Sequence, residues 1–129
     1  MWHDEDWIKF YDVGNHLSEF SGEEEYLRSA SGRYYYSCFG VLRLYYHKTT
    51  KKYLPSYKGH STLINFLENS NYDEEKYIGK KLRKLRDLRV KADYKSNFKN
   101  QYAFQSKDLA EDIIELTNCL FENPLYSDF

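Results

Sequence analysis

Apolar residues recur at three- and four-residue spacings along most of this chain, and that period decides the fold class before any other feature is considered. Leu27, Ala30, Tyr34, Cys38, Val41, Leu42 and Tyr45 make one stripe, on a helix expected from Glu23 to about His47. Glu23, Glu24 and Glu25 open it, and acidic side chains suit the positive end of a helix dipole. Trp7, Phe10, Tyr11, Leu17 and Phe20 make another stripe on a first helix, from about Asp4 to Phe20, which Ser21-Gly22 ends. A short third helix is expected near Ser61 to Asn69. Asn71 and Asp73 offer N-cap chemistry for a fourth helix reaching about Ala92, with Tyr77, Leu82, Leu85, Leu88 and Ala92 near its inner side. Ser106 reads as the N-cap of a last helix, whose Leu109, Ile113, Leu116, Thr117 and Leu120 share one face until Asn123-Pro124 stops it. Residues 48–59 and 95–105 read as connections. With no strand-like alternation, the expectation is an all-α fold, an antiparallel bundle of four to five helices.

The 129 residues suit a single domain over positions 1–129 with one core. Hydrophobic residues at 41% and charged residues at 30% are the balance of a folded soluble chain and not of a disordered one. Tyrosine is abundant, 14 residues, so a core built from it needs partners for its hydroxyls or a wet rim. No apolar run approaches the roughly 20 residues of a membrane span, and the acidic start MWHDED lacks the basic and apolar regions of a signal peptide; a cytoplasmic protein without membrane contact is expected. Cys38 and Cys119 fall in neither a CxxC nor a Cys/His pattern, so both are expected to be buried thiols, with no metal and no cofactor.

Charge is segregated. Residues 1–25 carry eight acidic side chains against Lys9 alone, a net −7, whereas residues 76–91 carry eight basic ones against Asp87, a net +7. Such a separation either draws RNA to one surface or lets the two segments neutralise each other.

Three separated stretches carry a family resemblance. Arg28 to Phe39, with Arg33-Tyr34-Tyr35-Tyr36 at its centre, is similar to the Ser-Arg-x-Tyr-Tyr-Ala-x-Phe helix of a prokaryotic HEPN family. Gly59-His60-Ser61-Thr62-Leu63-Ile64 resembles that family's His-Ser-x-x-Ile segment, and Leu85-Arg86-Asp87-Leu88-Arg89-Val90-Lys91-Ala92-Asp93-Tyr94 its Leu-Arg-x-x-Ala-Asp-Tyr signature. With the last helix the likeness covers about residues 23–122. Gly32 stands where a serine is usual and Gly40 where a histidine is common. The resemblance implies an HEPN-like helical bundle, frequent homodimerisation and, in many members, metal-independent RNA cleavage at the dimer cleft. Nuclease members carry a histidine four to six residues after the arginine; here His3, His16, His47 and His60 all precede Arg89.

Cleavage of RNA without a metal requires a base for the 2′-hydroxyl, an acid for the leaving oxygen and a cation for the transition state. Arg89 suits the cationic role. Asp93, Tyr94 and His60 are the candidates for proton transfer, His60 having the most suitable intrinsic chemistry but needing the fold to bring it to Arg89. Arg89 and Asp93, four apart, share a helix face, as an ion pair or as part of a cleft. Arg33, Arg86 and Lys91 are the candidate RNA contacts, with Arg33 equally able to neutralise the acidic first helix. The leading expectation is a homodimeric RNA-directed effector, a ribonuclease toxin or defence component. The missing downstream histidine motivates a second, a non-catalytic module in a toxin–antitoxin pair with a nucleotidyltransferase partner that modifies Tyr94; a structural adaptor bundle is the third.

Overall fold

A computed structural model describes residues 9–16, 24–94 and 100–126. Among these, helical residues 9–16 (α1) are followed by α2 (Glu24–Thr50), α3 (Gly59–Glu68), α4 (Asp73–Tyr94) and α5 (Asn100–Glu122), with no strand. The all-α bundle is therefore as the period requires. The ends of the expected first helix, with Trp7, Leu17 and Phe20, lie outside the described residues.

α2 is the central element, packing on α3, α4 and α5. Every residue of its expected stripe is buried, and so is Tyr35. Long-range contacts fix the directions. Arg28 meets the carbonyls of Lys91 and Ala92, while Tyr45 meets Glu75, so α2 and α4 run antiparallel. Lys81 pairs with Asp112 and Lys91 lies over Tyr102, so α4 and α5 do the same. Ser31 meets Ser106 and Cys38 meets Ala110, which leaves α2 and α5 parallel.

The connection from α2 to α3 doubles back. Gly59 lies beside Phe39, eleven residues before the end of α2, although α2 itself ends only at Thr50. Residues 51–58 must therefore return along the outside of α2 by roughly 17 Å, at ~1.5 Å of helix rise per residue. Lys51 and Lys58, with φ of 62° and 63°, make the left-handed bends at the two ends, and Leu54 is buried in the main core midway.

The core is aromatic, and the hydroxyls of its three fully buried tyrosines are satisfied. Fully buried Tyr34, Tyr35 and Tyr45 meet Asn15 at 2.7 Å, His60 at 2.5 Å and Glu75 at 2.5 Å. Each hydroxyl left without a partner would cost about 1–3 kcal/mol. Glu75 is itself buried, and its other oxygen accepts from Ser70 (2.5 Å) and Tyr126 (2.8 Å). Gly14 lets α1 approach closely, since a Cβ there would stand 2.8 Å from the Tyr34 ring.

Five expectations need correction. Residues 100–105 are helical, not a loop, because Ala103 is buried with Leu27 and Ala92 and draws the start of α5 back by two turns. Ser106 is consequently inside α5, buried, donating to the Tyr102 carbonyl at 2.8 Å instead of capping. Asp73 is the first residue of α4, not its cap, and the Tyr72 N–H is accepted by Ser70 Oγ at 3.0 Å. Tyr77 points outward, 50% exposed beneath Lys81, because Glu75, Ile78 and Leu82 set the inner face. Cys38 is a buried free thiol as expected; Cys119 is exposed, since Ile113, Thr117 and Leu120 turn the other side of α5 inward.

Candidate functional site

Three helices bring aromatic, imidazole and guanidinium groups together near the middle of α2. On α2, Tyr35, Tyr36 and Phe39 are spaced one and four residues apart and lie on neighbouring sides. On α4, Arg86, Arg89 and Asp93 follow the three- and four-residue spacing that keeps them on one face. His60, second residue of α3, is delivered between them by the returning connection.

His60 stacks on Phe39 at 4.2 Å and on Tyr35 at 5.4 Å, with interplanar angles of 26° and 25°. Its Nδ1 is 2.5 Å from the Tyr35 hydroxyl oxygen. The Arg89 guanidinium carbon lies 4.8 Å from the centre of the Tyr36 ring and 5.4 Å from that of Tyr35. Arg89 Nε is 3.4 Å from an Asp93 carboxylate oxygen, and the Arg89 side chain is 23% exposed. The guanidinium is thus neither adrift on an outer surface nor sealed in the interior: it is held against two rings with part of it open to water.

The electrostatics keep the central groups neutral. Burial, with Arg89 and Arg86 nearby, lowers the His60 pKa below its ordinary 6.5, so the imidazole is uncharged at neutral pH. Burial raises the Tyr35 hydroxyl well above its ordinary range, against the pull of Arg86 and Arg89. When Nδ1–H donates to the Tyr35 oxygen, Nε2 carries a free lone pair and can accept a proton; when the hydroxyl donates to Nδ1, Nε2–H is a donor instead.

Of the expected site residues, His60, Arg89 and Asp93 share this cluster, and Arg86 is near enough for its charge to act on His60 and Tyr35. Tyr94 ends α4, and its side chain lies outside the described residues. Arg33 is exposed and sits 5.7 Å over the Phe10 ring of α1. Lys91 lies 4.9 Å over Tyr102, in a groove between α4 and α5 of about 440 Å³, where Lys84 and Lys91 are balanced by Asp87 and Asp108. Tyr35, Tyr36 and Phe39 were not expected as site residues, although they fall in the first resembling stretch. Among the described residues no three His, Cys, Asp or Glu side chains converge as a metal site needs.

Residues 15–123 match the HEPN domain family. The chain belongs to the HEPN family. No curated protein and no solved structure matched it. Within this HEPN domain the matched span contains every residue of the cluster, and among the described residues no helix is long and apolar enough to cross a membrane.

Proposed function

We propose that this HEPN domain is an RNA-directed effector, a metal-independent endoribonuclease of the toxin or defence kind, with His60, Arg86 and Arg89 as its working groups. The observation that carries the reading is the convergence of the His60 imidazole and the Arg89 guanidinium on Tyr35 at a partly open surface, with the charge of Arg86 near enough to act on His60. In the tautomer with Nδ1–H on Tyr35, His60 Nε2 takes the proton of a ribose 2′-hydroxyl as its oxygen attacks phosphorus. The bond to the 5′-oxygen breaks, that oxygen takes a proton from a water that is in turn reprotonated by the His60 imidazolium, and the products are a 2′,3′-cyclic phosphate and a 5′-hydroxyl. Arg89 and Arg86 stabilise the charge on the phosphorane oxygens, and Asp93, by pairing with Nε, is a positioning residue that aims the fork of Arg89. A homodimer would set two clusters across one cleft.

The test is incubation of purified protein with RNA in EDTA, comparing wild type with His60→Ala and Arg89→Ala. Each variant is expected to lose about a hundredfold or more of the cleavage rate, the usual range for a lost acid–base group. Equal cleavage by all three proteins would remove the cluster from the reaction.

A second reading is favoured by one observation: Arg89 already has a carboxylate partner, which competes with phosphate. In that reading the domain is non-catalytic and pairs with a nucleotidyltransferase that modifies Tyr94. Intact mass after coexpression checks it; an unmodified chain that forms no complex argues against it.

A further inference from the structure

The returning segment between α2 and α3 differs from the surface around it. No Asp or Glu occurs between Glu25 and Glu68, while Lys48, Lys51, Lys52 and Lys58 fall in the segment or beside it. Tyr53 is 76% and Tyr57 80% exposed, more than any other large hydrophobic side chain among the described residues. Lone exposed apolar groups are ordinary; two rings exposed four residues apart, in a stretch whose only charged side chains are lysines, are not.

The segment is also fixed in shape. Leu54, 9% exposed, anchors its middle in the core. The His47 ring stacks under Tyr53 at 4.1 Å and 15°, and His47 Nδ1 lies 3.2 Å from the Lys52 carbonyl. Lys52 N–H donates to Thr50 Oγ1 at 3.1 Å. Lys51 and Lys58 both hold the left-handed backbone conformation, which is unfavourable for a side-chain-bearing residue and persists where the surroundings enforce it. Lys58 Nζ sits 5.4 Å over the Tyr57 ring, so a cation accompanies the second platform.

We propose that residues 47–58 form a stacking platform for the unpaired bases of single-stranded RNA, with Tyr53 and Tyr57 under successive bases and the lysines on the phosphates between them. The proposal rests on the RNA reading of the His60 cluster and deepens it: the substrate is single-stranded, and this segment lays it toward the site. Rings held open beside a cationic track are what sequence-tolerant strand binding uses, because every base has a face to stack. Position supports the direction, since Tyr57 is three residues before His60, a Cα separation of at most about 11 Å. An anionic lipid surface would also attract the lysines. Insertion there would fall to the two tyrosines alone, because the segment's one leucine is turned into the core, and the approach of the segment to the His60 cluster favours RNA.

Fluorescence anisotropy with a labelled, 2′-O-methylated single strand, which resists cleavage, tests the platform apart from the chemistry. The single strand should bind more tightly than a duplex of equal length. Tyr53→Ala and Tyr57→Ala should each weaken it about fivefold or more, while Tyr53→Phe and Tyr57→Phe should bind like wild type. Alanine variants that bind the single strand as tightly as wild type overturn the proposal, as does loss of binding to phosphatidylserine vesicles with RNA binding unchanged. The two readings fail separately. Tyrosine-dependent binding with cleavage absent in wild type upholds the platform and removes the nuclease, whereas cleavage and binding indifferent to both tyrosines do the reverse.

Discussion

His60 sits where burial and two guanidiniums act on its proton in the same direction. Its folded pKa lies below the ordinary 6.5, so below pH 6.5 the unfolded chain takes up a proton that the folded chain refuses. Stability contributed by the neutral imidazole is therefore complete above about pH 6.5 and is lost as pH falls toward the lowered value. Urea midpoints measured from about pH 5 to 7 should drop on the acid side in wild type. His60→Gln, which keeps an acceptor for Tyr35, should flatten the difference; parallel curves would mean that His60 titrates as it does in the unfolded chain. A cleavage rate that needs the neutral imidazole should rise through the same window and level off by neutrality. Glu75 presents a second case, a buried carboxylate receiving three hydroxyls. Glu75→Ala strands the Tyr45 hydroxyl and should lower unfolding free energy by about 3 kcal/mol, with Glu75→Gln costing less. Arg89 and His60 were legible because their stretches resemble HEPN motifs. Tyr35 was not, because a helix buried by neighbours on several sides has no single inward stripe, and Tyr34 and Tyr35, adjacent in sequence, are both fully enclosed.

The helices themselves show where periodicity stops being informative. For α2 the stripe of seven residues is buried as read, since the helix is packed against α3, α4 and α5 along its length. The first two turns of α5 were missed because Asn100, Gln101 and Gln105 make their outer face polar, and the small Ala103 and Ser106 inside carry little hydrophobic signal. The path of residues 51–58 was equally hidden: it is set by Leu54 entering the core and by two left-handed lysines, neither of which leaves a recognisable turn sequence. Two helical glycines report on how closely the helices pack. A Cβ on Gly32 of α2 would meet nothing within 4 Å, so Gly32→Ala should stabilise by about 0.5–1 kcal/mol through backbone entropy alone. A Cβ on Gly79 of α4 would stand 2.8 Å from Leu67 Cβ and 3.0 Å from Glu68 N, where α3 crosses. Overpacking of about 1–3 kcal/mol should outweigh the same entropic gain, so Gly79→Ala destabilises. Denaturant midpoints moving in the same direction for both substitutions would contradict this account of the α3–α4 contact.

Over the whole molecule a net charge of −1 conceals which cations remain available. The basic run of α4 is partly used in ties to its neighbours: Lys81 pairs with Asp112 of α5 at 2.8 Å, Arg83 makes a two-pronged contact with Glu68 of α3 at 2.6 Å, and Arg89 meets Asp93. Those partners lie on α3, α4 and α5, so the neutralisation of α4 that is visible comes from its immediate surroundings. By contrast, the segment from Lys48 to Lys58 has no acidic residue of its own, and neither Lys51 nor Lys52 is in an ion pair within the described residues. If strand binding depends on cations free to displace counterions, position should matter and number should not. Each phosphate neutralised on a single strand contributes about −0.7 to the slope of log affinity against log salt. Replacing Lys51 and Lys52 by Gln should therefore make that slope shallower by about 1.4. Replacing Lys81 and Arg83 by Gln removes the same formal charge but only frees Asp112 and Glu68, so the slope should change little, with any loss appearing as lower stability. The comparison isolates the mechanism, since both double variants shift the protein's overall charge equally. Equal slopes for the two would mean that the strand responds to the field of the whole domain and not to the cationic track beside Tyr53 and Tyr57.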